Sequence, residues 1–454
     1  MRSPFLLLGF FLFLGFGMLQ SQVVINEYSC SNANAYPDNF NNYEDWVELY
    51  NSGSSSYNLN GHFLSDKLNN PTKWPLPNVS IPAGGRMVIF CSGRNINTGP
   101  GPYHANFKLT QTAFEKIIFA GPGGVILDSV TTRPAMRNHG RGRTTDGAAT
   151  WSLFLNPTPN APNAGASPEY AAKPTANLQA GFYSGSVSVT LSTTEPNSVI
   201  RYTTDGSEPT TASTAYSGPI NISQTTVLRF RTFSNTPGVP ESFIETNTYF
   251  INAPNHQIPV VSVSGTNAIN LIQGNAAYDG TRVHFEYFDQ TPAHNFVLEA
   301  YGTADHHGND SWAMSPHKGI DFVVRDQLGY NHTMNYTFFP GVPRNKFDRL
   351  ILKSGASDGY PGYHPNRATH MRDAFVQTLS QKIGLDTDER SMIWAALYVN
   401  GQYWGLYDIR EKVHNDEYTD HYYNQGEFDI DFLSFWGGLQ IRYGSDTGWV
   451  ALYN

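Results

Sequence analysis

Residues 393–412 read IWAALYVNGQYWGLYDIREK, and this stretch predicts a β-hairpin. Two alternating runs, Ile393 to Val399 and Gln402 to Lys412, flank the dipeptide Asn400-Gly401. An Asn-Gly pair between two such runs is the strongest short-range signal for a hairpin. We therefore expect two antiparallel strands here, the second of which ends in a charged run.

The sequence upstream of the hairpin predicts a strand and then a helix. Lys318 to Arg325 alternates strictly, so that Lys318, Ile320, Phe322 and Val324 share one face. A helix is predicted over roughly Arg367 to Ile383. Its apolar residues recur at every fourth position, and a glycine follows its last turn; they are Met371, Phe375, Leu379 and Ile383.

These elements carry a resemblance to the spore-coat protein H (CotH) family of secreted kinases. The matching segments, in chain order, are Ile258 to Ser262, Lys318 to Ile320, Met371 to Phe375, Tyr398 to Tyr407 and Ile409 to Lys412. The resemblance spans about Ile258 to Asn454 and corresponds to the front half of the usual domain. It implies an α+β, atypical protein-kinase-like domain, with ATP and Mg or Mn as cofactors.

The function implied by this resemblance is phosphorylation of secreted or surface proteins on serine, as in some family members. The residues that hold the metal and act in catalysis are expected beyond Asn454, so the enzyme assignment is uncertain and this fragment alone is expected to be inactive. The alternative is a non-enzymatic cell-surface, adhesion or glycan-binding protein. In that case the CotH-like part would be a scaffold.

Three residues are candidates for the ATP phosphates. Lys318 and Glu411 each lie on an otherwise apolar strand face, which favours an ion pair between them like the kinase lysine–glutamate pair; Arg372 is the third candidate. Each has a plainer interpretation, because a strand-end lysine reaches solvent, Arg410-Glu411-Lys412 can simply end a hairpin, and Arg372 can pair with Asp373 or another neighbour. No metal site is predicted, since Asp305-His306-His307 is expected in a loop without the spacing of a zinc site.

Residues 22–157, which follow the N-terminal segment, predict an antiparallel β-sandwich. Short strands bounded by Asn, Gly and Ser recur over residues 22–157. The region resembles the lamin tail domain, an immunoglobulin-like fold. The segments that carry this resemblance are Ile25-Asn26-Glu27, Asp45 to Asn51, Leu64-Ser65-Asp66 and Ile81 to Gly85.

A second β-sandwich is predicted after a proline-rich linker. The linker, residues 158–173, is expected to be an extended spacer that is sensitive to proteases. Residues 174–252 then alternate cleanly and contain YTTDGSEPT at 202–210. They resemble the C-terminal module of chitobiase and β-hexosaminidase, another immunoglobulin-like fold, for which a spacer role is favoured over glycan binding.

The N-terminus and the composition predict an exported protein. Arg2 precedes an apolar run from Phe5 to Leu19, which is typical of a signal peptide over residues 1–21. The mature chain is expected to carry no transmembrane segment and to be secreted or held at the cell surface, where it contacts protein substrates, cell wall or glycan. A formal net charge of −9 argues against nucleic-acid binding. The two cysteines, Cys30 and Cys91, form either one disulfide or two buried thiols.

Overall, the sequence predicts a multi-domain, mainly β protein. Two immunoglobulin-like sandwiches are followed by the incomplete kinase-like domain, residues 258–454.

Overall fold

The computed structural model describes residues 21–308, 312, 317–355, 358, 366–385, 387–413, 415–435 and 438–453. The predicted signal peptide lies almost entirely outside these residues. Strands far outnumber helices, which confirms the mainly β prediction. None of the helices within the described ranges is long and apolar enough to span a membrane.

The first module is a two-sheet sandwich. A seven-stranded sheet, in the order β13-β12-β11-β1-β2-β7-β8, faces a four-stranded sheet in the order β10-β9-β4-β5. Apolar side chains from both sheets fill the space between them, including Leu49 from one and Phe119 from the other. The strands are β1 (Val23–Ser29), β2 (Trp46–Asn51), β3 (Tyr57–Asn58), β4 (Phe63–Ser65), β5 (Trp74–Pro75), β6 (Ser80–Ile81), β7 (Arg86–Phe90), β8 (Tyr103–His104), β9 (Lys116–Ala120), β10 (Ile126–Thr131), β11 (Gly140–Arg143), β12 (Trp151–Phe154) and β13 (Ala166–Ser167).

The two cysteines belong to this sandwich. Cys30 and Cys91 are both buried, and both are free thiols. Of the two alternatives that the sequence left open, the structure therefore supports the pair of buried thiols.

The proline-rich segment 158–173 is held against the first module along its length. Thr158 donates two hydrogen bonds from its backbone and one from its hydroxyl to the buried carboxylate of Glu27. The Asn163 side chain donates to the backbone oxygen of Arg143, at 2.6 Å. Strand β13 lies within this segment and pairs with β12. The segment was predicted to be an extended spacer. In the structure it is bound to the first module instead, because polar groups between its prolines form hydrogen bonds with residues of the sandwich.

We expect residues 158–173 to resist brief proteolysis of the folded chain, because their backbone groups are engaged. Glu27→Ala should make the segment the first site of cleavage, since it removes the acceptor for Thr158. Mass spectrometry of the earliest fragments from a low-specificity protease measures this. Early release of a fragment near residues 22–160 from the unmodified chain would instead support a free spacer.

The second module is a smaller sandwich built on a five-stranded sheet in the order β15-β22-β21-β18-β19. Two short pairs, β14-β17 and β16-β20, complete it. The alternating Val187, Val189 and Leu191 enter its core as predicted. Its strands are β14 (Thr175–Ala176), β15 (Gly181–Tyr183), β16 (Val187–Val189), β17 (Leu191–Ser192), β18 (Ser198–Thr203), β19 (Thr214–Ala215), β20 (Ile220–Ile222), β21 (Thr226–Ser234) and β22 (Glu245–Ile251).

The third region is a closed seven-stranded barrel in the order β23-β24-β25-β26-β29-β31-β30, in which β30 pairs with β23 in parallel. Closure leaves the barrel without free sheet edges. Its strands are β23 (Val260–Ser264), β24 (Thr281–Phe288), β25 (Phe296–His307), β26 (Gly319–Val324), β29 (Arg349–Lys353), β30 (Met392–Val399) and β31 (Gln402–Arg410). The other elements are β27 (Met334–Asn335), β28 (Lys346–Phe347), β32 (Phe432–Phe435), β33 (Leu439–Tyr443), α1 (Ala268–Ile272), α2 (Arg372–Ile383), α3 (Asp416–Tyr423) and α4 (Thr447–Tyr453).

The predicted hairpin is confirmed as β30 and β31, with Asn400 and Gly401 at its turn. Both turn residues have positive φ, 47° and 78°, which a two-residue type I′ hairpin requires and which explains the Asn-Gly pair. Alternate residues of the barrel strands point inward, so Ile320, Phe322 and Tyr407 lie in the barrel core.

The apolar stripe of helix α2 faces solvent, contrary to the usual role of such a stripe. Its side chains are 59, 65, 43 and 60 % exposed, at Met371, Phe375, Leu379 and Ile383 respectively. The opposite, polar face lies on the barrel side: Asp373 binds Lys353, and Gln377 accepts a hydrogen bond from the Arg390 backbone. Periodicity predicts that the two faces differ, but polar contacts decide which one is covered.

The second module packs directly against the barrel. The ring of Phe250 on β22 lies 5.3 Å from that of Phe288 and 4.8 Å from that of Tyr398, centroid to centroid. The Thr248 backbone donates to the fully buried Glu286 at 2.9 Å, and the Thr248 and Ser262 hydroxyls are 2.8 Å apart. A buried aromatic and polar interface therefore fixes the module to the barrel.

Candidate functional site

Lys318 lies just before β26, at one end of the barrel. Its ammonium group donates to the backbone oxygen of Trp312 and lies 5.6 Å from the centroid of the Trp312 indole. Burial lowers the pKa of Lys318. Among the residues that the structure describes, the lysine therefore contacts Trp312 rather than an acidic side chain.

Glu411 is fully buried and paired with a different cation. Its Oε1 lies 3.3 Å from Arg344 Nη1 and accepts a hydrogen bond from the Tyr422 hydroxyl at 3.1 Å. Arg344, itself buried, also lies 2.8 Å from Glu417. The predicted Lys318–Glu411 pair is thus wrong, because an arginine from a loop that the strand pattern could not position reaches Glu411 instead.

Arg372 forms an ion pair with a neighbour, as its plainer interpretation stated, and that neighbour is Asp358. Arg372 Nε lies 3.5 Å from Asp358 Oδ1, and the arginine side chain is 53 % exposed. Asp358 also accepts backbone hydrogen bonds from Thr369, Met371 and Arg372 at 2.9–3.0 Å. Although burial opposes the shift, these hydrogen bonds lower the pKa of Asp358 to about 2. Asp358 therefore occupies the N-terminus of α2.

A second set of charges lies on the outer side of the barrel, where β29 and β31 pair beneath α2. Lys353, at the end of β29, stands opposite Asp408 in the β29–β31 ladder. Its ammonium group contacts the carboxylate of Asp373 in the first turn of α2. Arg410 lies 2.5 Å from both Asp373 and Asp408. We call Lys353, Asp373, Asp408 and Arg410 the charged ladder.

The charged ladder holds its ions in a shielded environment. Burial and the charge of Arg410 lower the pKa of Lys353. Burial raises the pKa of Asp408, whereas hydrogen bonds and charge from Lys353 and Arg410 outweigh burial at Asp373 and lower its pKa to about 2. Two buried atoms of the ladder, Arg410 Nε and Asp408 Oδ1, have no hydrogen-bond partner among the described residues. The ladder thus retains capacity for a further polar ligand.

Further charges extend this surface along the barrel. Lys412 contacts Asp321, whose other oxygen lies 2.9 Å from His307 Nδ1. His307 belongs to β25, so the predicted loop at Asp305-His306-His307 is wrong. The three residues are in a strand because they pair with β26. Burial lowers the pKa of Arg390, and the charges of Asp373, Arg410 and Asp321 also act on it. No carboxylate lies within 4 Å of Arg390 in the described ranges. Four cations thus face three carboxylates.

The arrangement can bind a polyanion, because it contains more cationic side chains than carboxylates. One of the cations, Lys353, is positioned by Asp373 on helix α2. A strand lysine fixed by an acidic residue on a helix is the phosphate-positioning device of protein kinases. No group of three or more potential metal ligands is found within the described ranges. Asp373 and Asp408 are already engaged by Lys353 and Arg410, so we assign no metal to them.

The sequence interpretation missed Lys353 and Asp373. A usable signal exists, because Leu350-Ile351-Leu352-Lys353 is an apolar strand that ends in a lysine and is followed by a helix with an acid in its first turn. The alternation of Lys318 with Ile320, Phe322 and Val324 directed attention to Lys318 instead.

Three family models match the chain in the predicted order. They describe a lamin tail domain over residues 18–134, a chitobiase/beta-hexosaminidase C-terminal domain over residues 178–245, and a CotH kinase protein over residues 325–431. The barrel region resembles CotH kinases. The matched CotH-like region contains the whole charged ladder and Glu411, and it begins after Lys318. A search of curated proteins finds no match.

Proposed function

We propose that this chain is an exported, kinase-like protein whose CotH-like region binds ATP at the charged ladder. The reaction proposed for it is phosphorylation of a secreted or surface protein on serine. The observation that carries the proposal is the contact between Lys353, on strand β29, and Asp373, on the helix that follows it. The apolar run after Arg2 supports export.

Each ladder residue has a distinct role in this proposal. Lys353 contacts the nucleotide phosphates, since it is the ladder's only ammonium group and its long side chain remains 16 % exposed. Asp373 positions Lys353, and the buried Arg410 positions Asp373 through its 2.5 Å contact. Bound ATP would supply the phosphoryl group. The protein's part is to hold and orient phosphates in a shielded site, where electrostatic contacts are stronger than in water.

The unpaired atoms of the ladder support a fit to a ligand of this kind. Arg410 Nε is a buried donor without an acceptor, and Arg390 is a cation without a carboxylate partner among the described residues. Buried donors and charges are costly when unpaired. A phosphate group would satisfy such donors.

The competing function is glycan contact through the second module, which the chitobiase/beta-hexosaminidase match favours. The structure gives this module another role as well, because Phe250 and Thr248 fix it to the barrel. The two functions make different predictions about ligands.

ATP should stabilise the 454-residue chain in a thermal unfolding assay, with Mg or Mn present, whereas adenosine should stabilise it much less. At a concentration 100 times Kd the expected effect is about 2.7 kcal/mol. Labelled-phosphate transfer to serine of a casein-like acceptor is measured in parallel. Equal, negligible effects of ATP and adenosine, together with retention on chitin, would favour the glycan-binding alternative.

A further inference from the structure

A separate cavity of about 220 Å³ lies where all three modules meet. The first module contributes Arg137 and His139, the second Arg229 and Arg231, and the barrel Arg282. None of the charged-ladder residues lines it. We call it the arginine cavity.

Arg229 is the most unusual of these residues. It is only 2 % exposed, on the central strand β21. Its Nη1 donates to the Gly206 backbone oxygen at 2.9 Å and its Nε to the Thr246 hydroxyl at 3.3 Å. Both acceptors are neutral, and no carboxylate lies within 4 Å of its guanidinium in the part of the chain that the structure describes. Glu208 and Asp205 act on Arg229 from beyond ion-pair distance. A buried charge without a direct ionic partner is unfavourable, so this position favours an anion.

The other arginines leave the cavity with excess positive charge. Arg231 lies 3.4 Å from Glu241, and Arg282 lies 3.7 Å from Glu208. Burial, with the charges of Arg229 and Arg282, lowers the pKa of Arg231, so these guanidinium groups repel one another. Burial also lowers the pKa of His139, which keeps it neutral at pH 7. Among the lining residues, four guanidinium groups face two glutamates, and Asp205, which acts on Arg229 from outside the lining, still leaves positive charge in excess.

We propose that the arginine cavity binds a small anion of the phosphate class, either free or as the phosphoryl group of a phosphomonoester. An anion matches this excess of positive charge, and guanidinium groups suit phosphate oxygens through paired hydrogen bonds. The volume is below the 300–1,000 Å³ or so of pockets for drug-sized ligands, so the cavity suits the phosphate group rather than a whole nucleotide.

The surroundings indicate where an attached organic group would lie and what binding would do. A larger cleft of about 510 Å³ between the first module and the barrel shares Arg137 and Arg282 with the cavity. A phosphomonoester could place its organic part there. Because the arginines come from three modules, the bound anion would also hold the modules together.

Isothermal titration of the full chain with inorganic phosphate, at constant ionic strength, tests the proposal. We expect saturable binding that Arg229→Met weakens at least tenfold, while Arg94→Met leaves it unchanged. Arg94 is the control arginine, because its guanidinium lies 4.5 Å from the centroid of the Phe40 ring in the first module and does not line the cavity. If Arg229→Met does not fold, Arg282→Gln at the half-exposed rim should still weaken binding about tenfold.

A second titration with phosphoserine separates the two sources of the ligand. Tighter binding of phosphoserine than of inorganic phosphate assigns the larger cleft to its organic part, and equal or weaker binding assigns the site to free phosphate. No saturable phosphate binding by the unmodified chain, or binding that both Arg229→Met and Arg282→Gln retain in full, would overturn the proposal. Its failure would leave ATP binding at the charged ladder untouched, since the two sites share no residue.

Discussion

Replacing Arg344 by methionine is expected to destabilise the barrel by about 3–5 kcal/mol, because it leaves buried carboxylates without their cation. Arg344 is 1 % exposed and lies 3.3 Å from Glu411 and 2.8 Å from Glu417. Its guanidinium also lies 4.4 Å from the centroid of the Phe347 ring, so the side chain joins the core to the hairpin end. Burial, together with the charge and hydrogen bond of Asp348, raises the pKa of Glu417 even with Arg344 beside it, so this environment disfavours the charged carboxylate.

Urea unfolding, followed by the fluorescence of the barrel tryptophans, measures this loss. Arg372→Met is the matched control, since Arg372 also pairs with a carboxylate, that of Asp358, but is 53 % exposed. Exposed pairs contribute about 0–1 kcal/mol, so the control should unfold close to the unmodified chain. A loss for Arg344→Met no larger than that of Arg372→Met would mean that Glu411 is not held as the structure indicates.

Local sequence signals predicted strands and their turn correctly in two places, one through turn residues and one through alternation of apolar side chains. Asn400-Gly401 identified the hairpin because both residues adopt positive φ. The alternation of Ile320, Phe322 and Val324 identified a strand face that does enter the barrel core. In both cases the signal lies within a few neighbouring residues.

Contacts between distant segments could not be predicted in the same way. The partner of Glu411 is Arg344, which lies in a loop 67 residues earlier in the chain. The face that α2 presents to the barrel is decided by Asp373, which reaches Lys353 on another element. Similarly, Thr158 is fixed by Glu27, 131 residues away, although the prolines around it predicted a free spacer. Such pairings depend on how the elements assemble.

The choice between Lys318 and Lys353 illustrates the same limit. Each lysine lies at one end of an apolar strand. The sequence interpretation assigned the phosphate to Lys318 because that residue shares a strand face with apolar side chains. The structure distinguishes them by partner, since Lys318 donates to a backbone oxygen and Lys353 to the carboxylate of a helix residue. Only the second arrangement resembles the lysine–acid pair that positions phosphates in kinases.

The central claim is that Lys353 is the phosphate-contacting lysine, and ATP titration of two matched variants tests it most directly. Lys353→Met should weaken ATP binding about 10- to 100-fold, since hydrogen bonds to charged groups contribute about 1.5–3 kcal/mol and each 1.4 kcal/mol is tenfold. Lys353→Arg should recover part of the affinity, because it restores a cation beside Asp373.

Lys318→Met removes a lysine of the same length from the other position and should change ATP affinity less than about twofold. Thermal unfolding of each variant without nucleotide confirms that the fold is kept. The predicted result is therefore a large loss for Lys353→Met and almost none for Lys318→Met. A loss confined to Lys318→Met, or equal affinities for both variants and the unmodified chain, would contradict the assignment of the charged ladder as the ATP site.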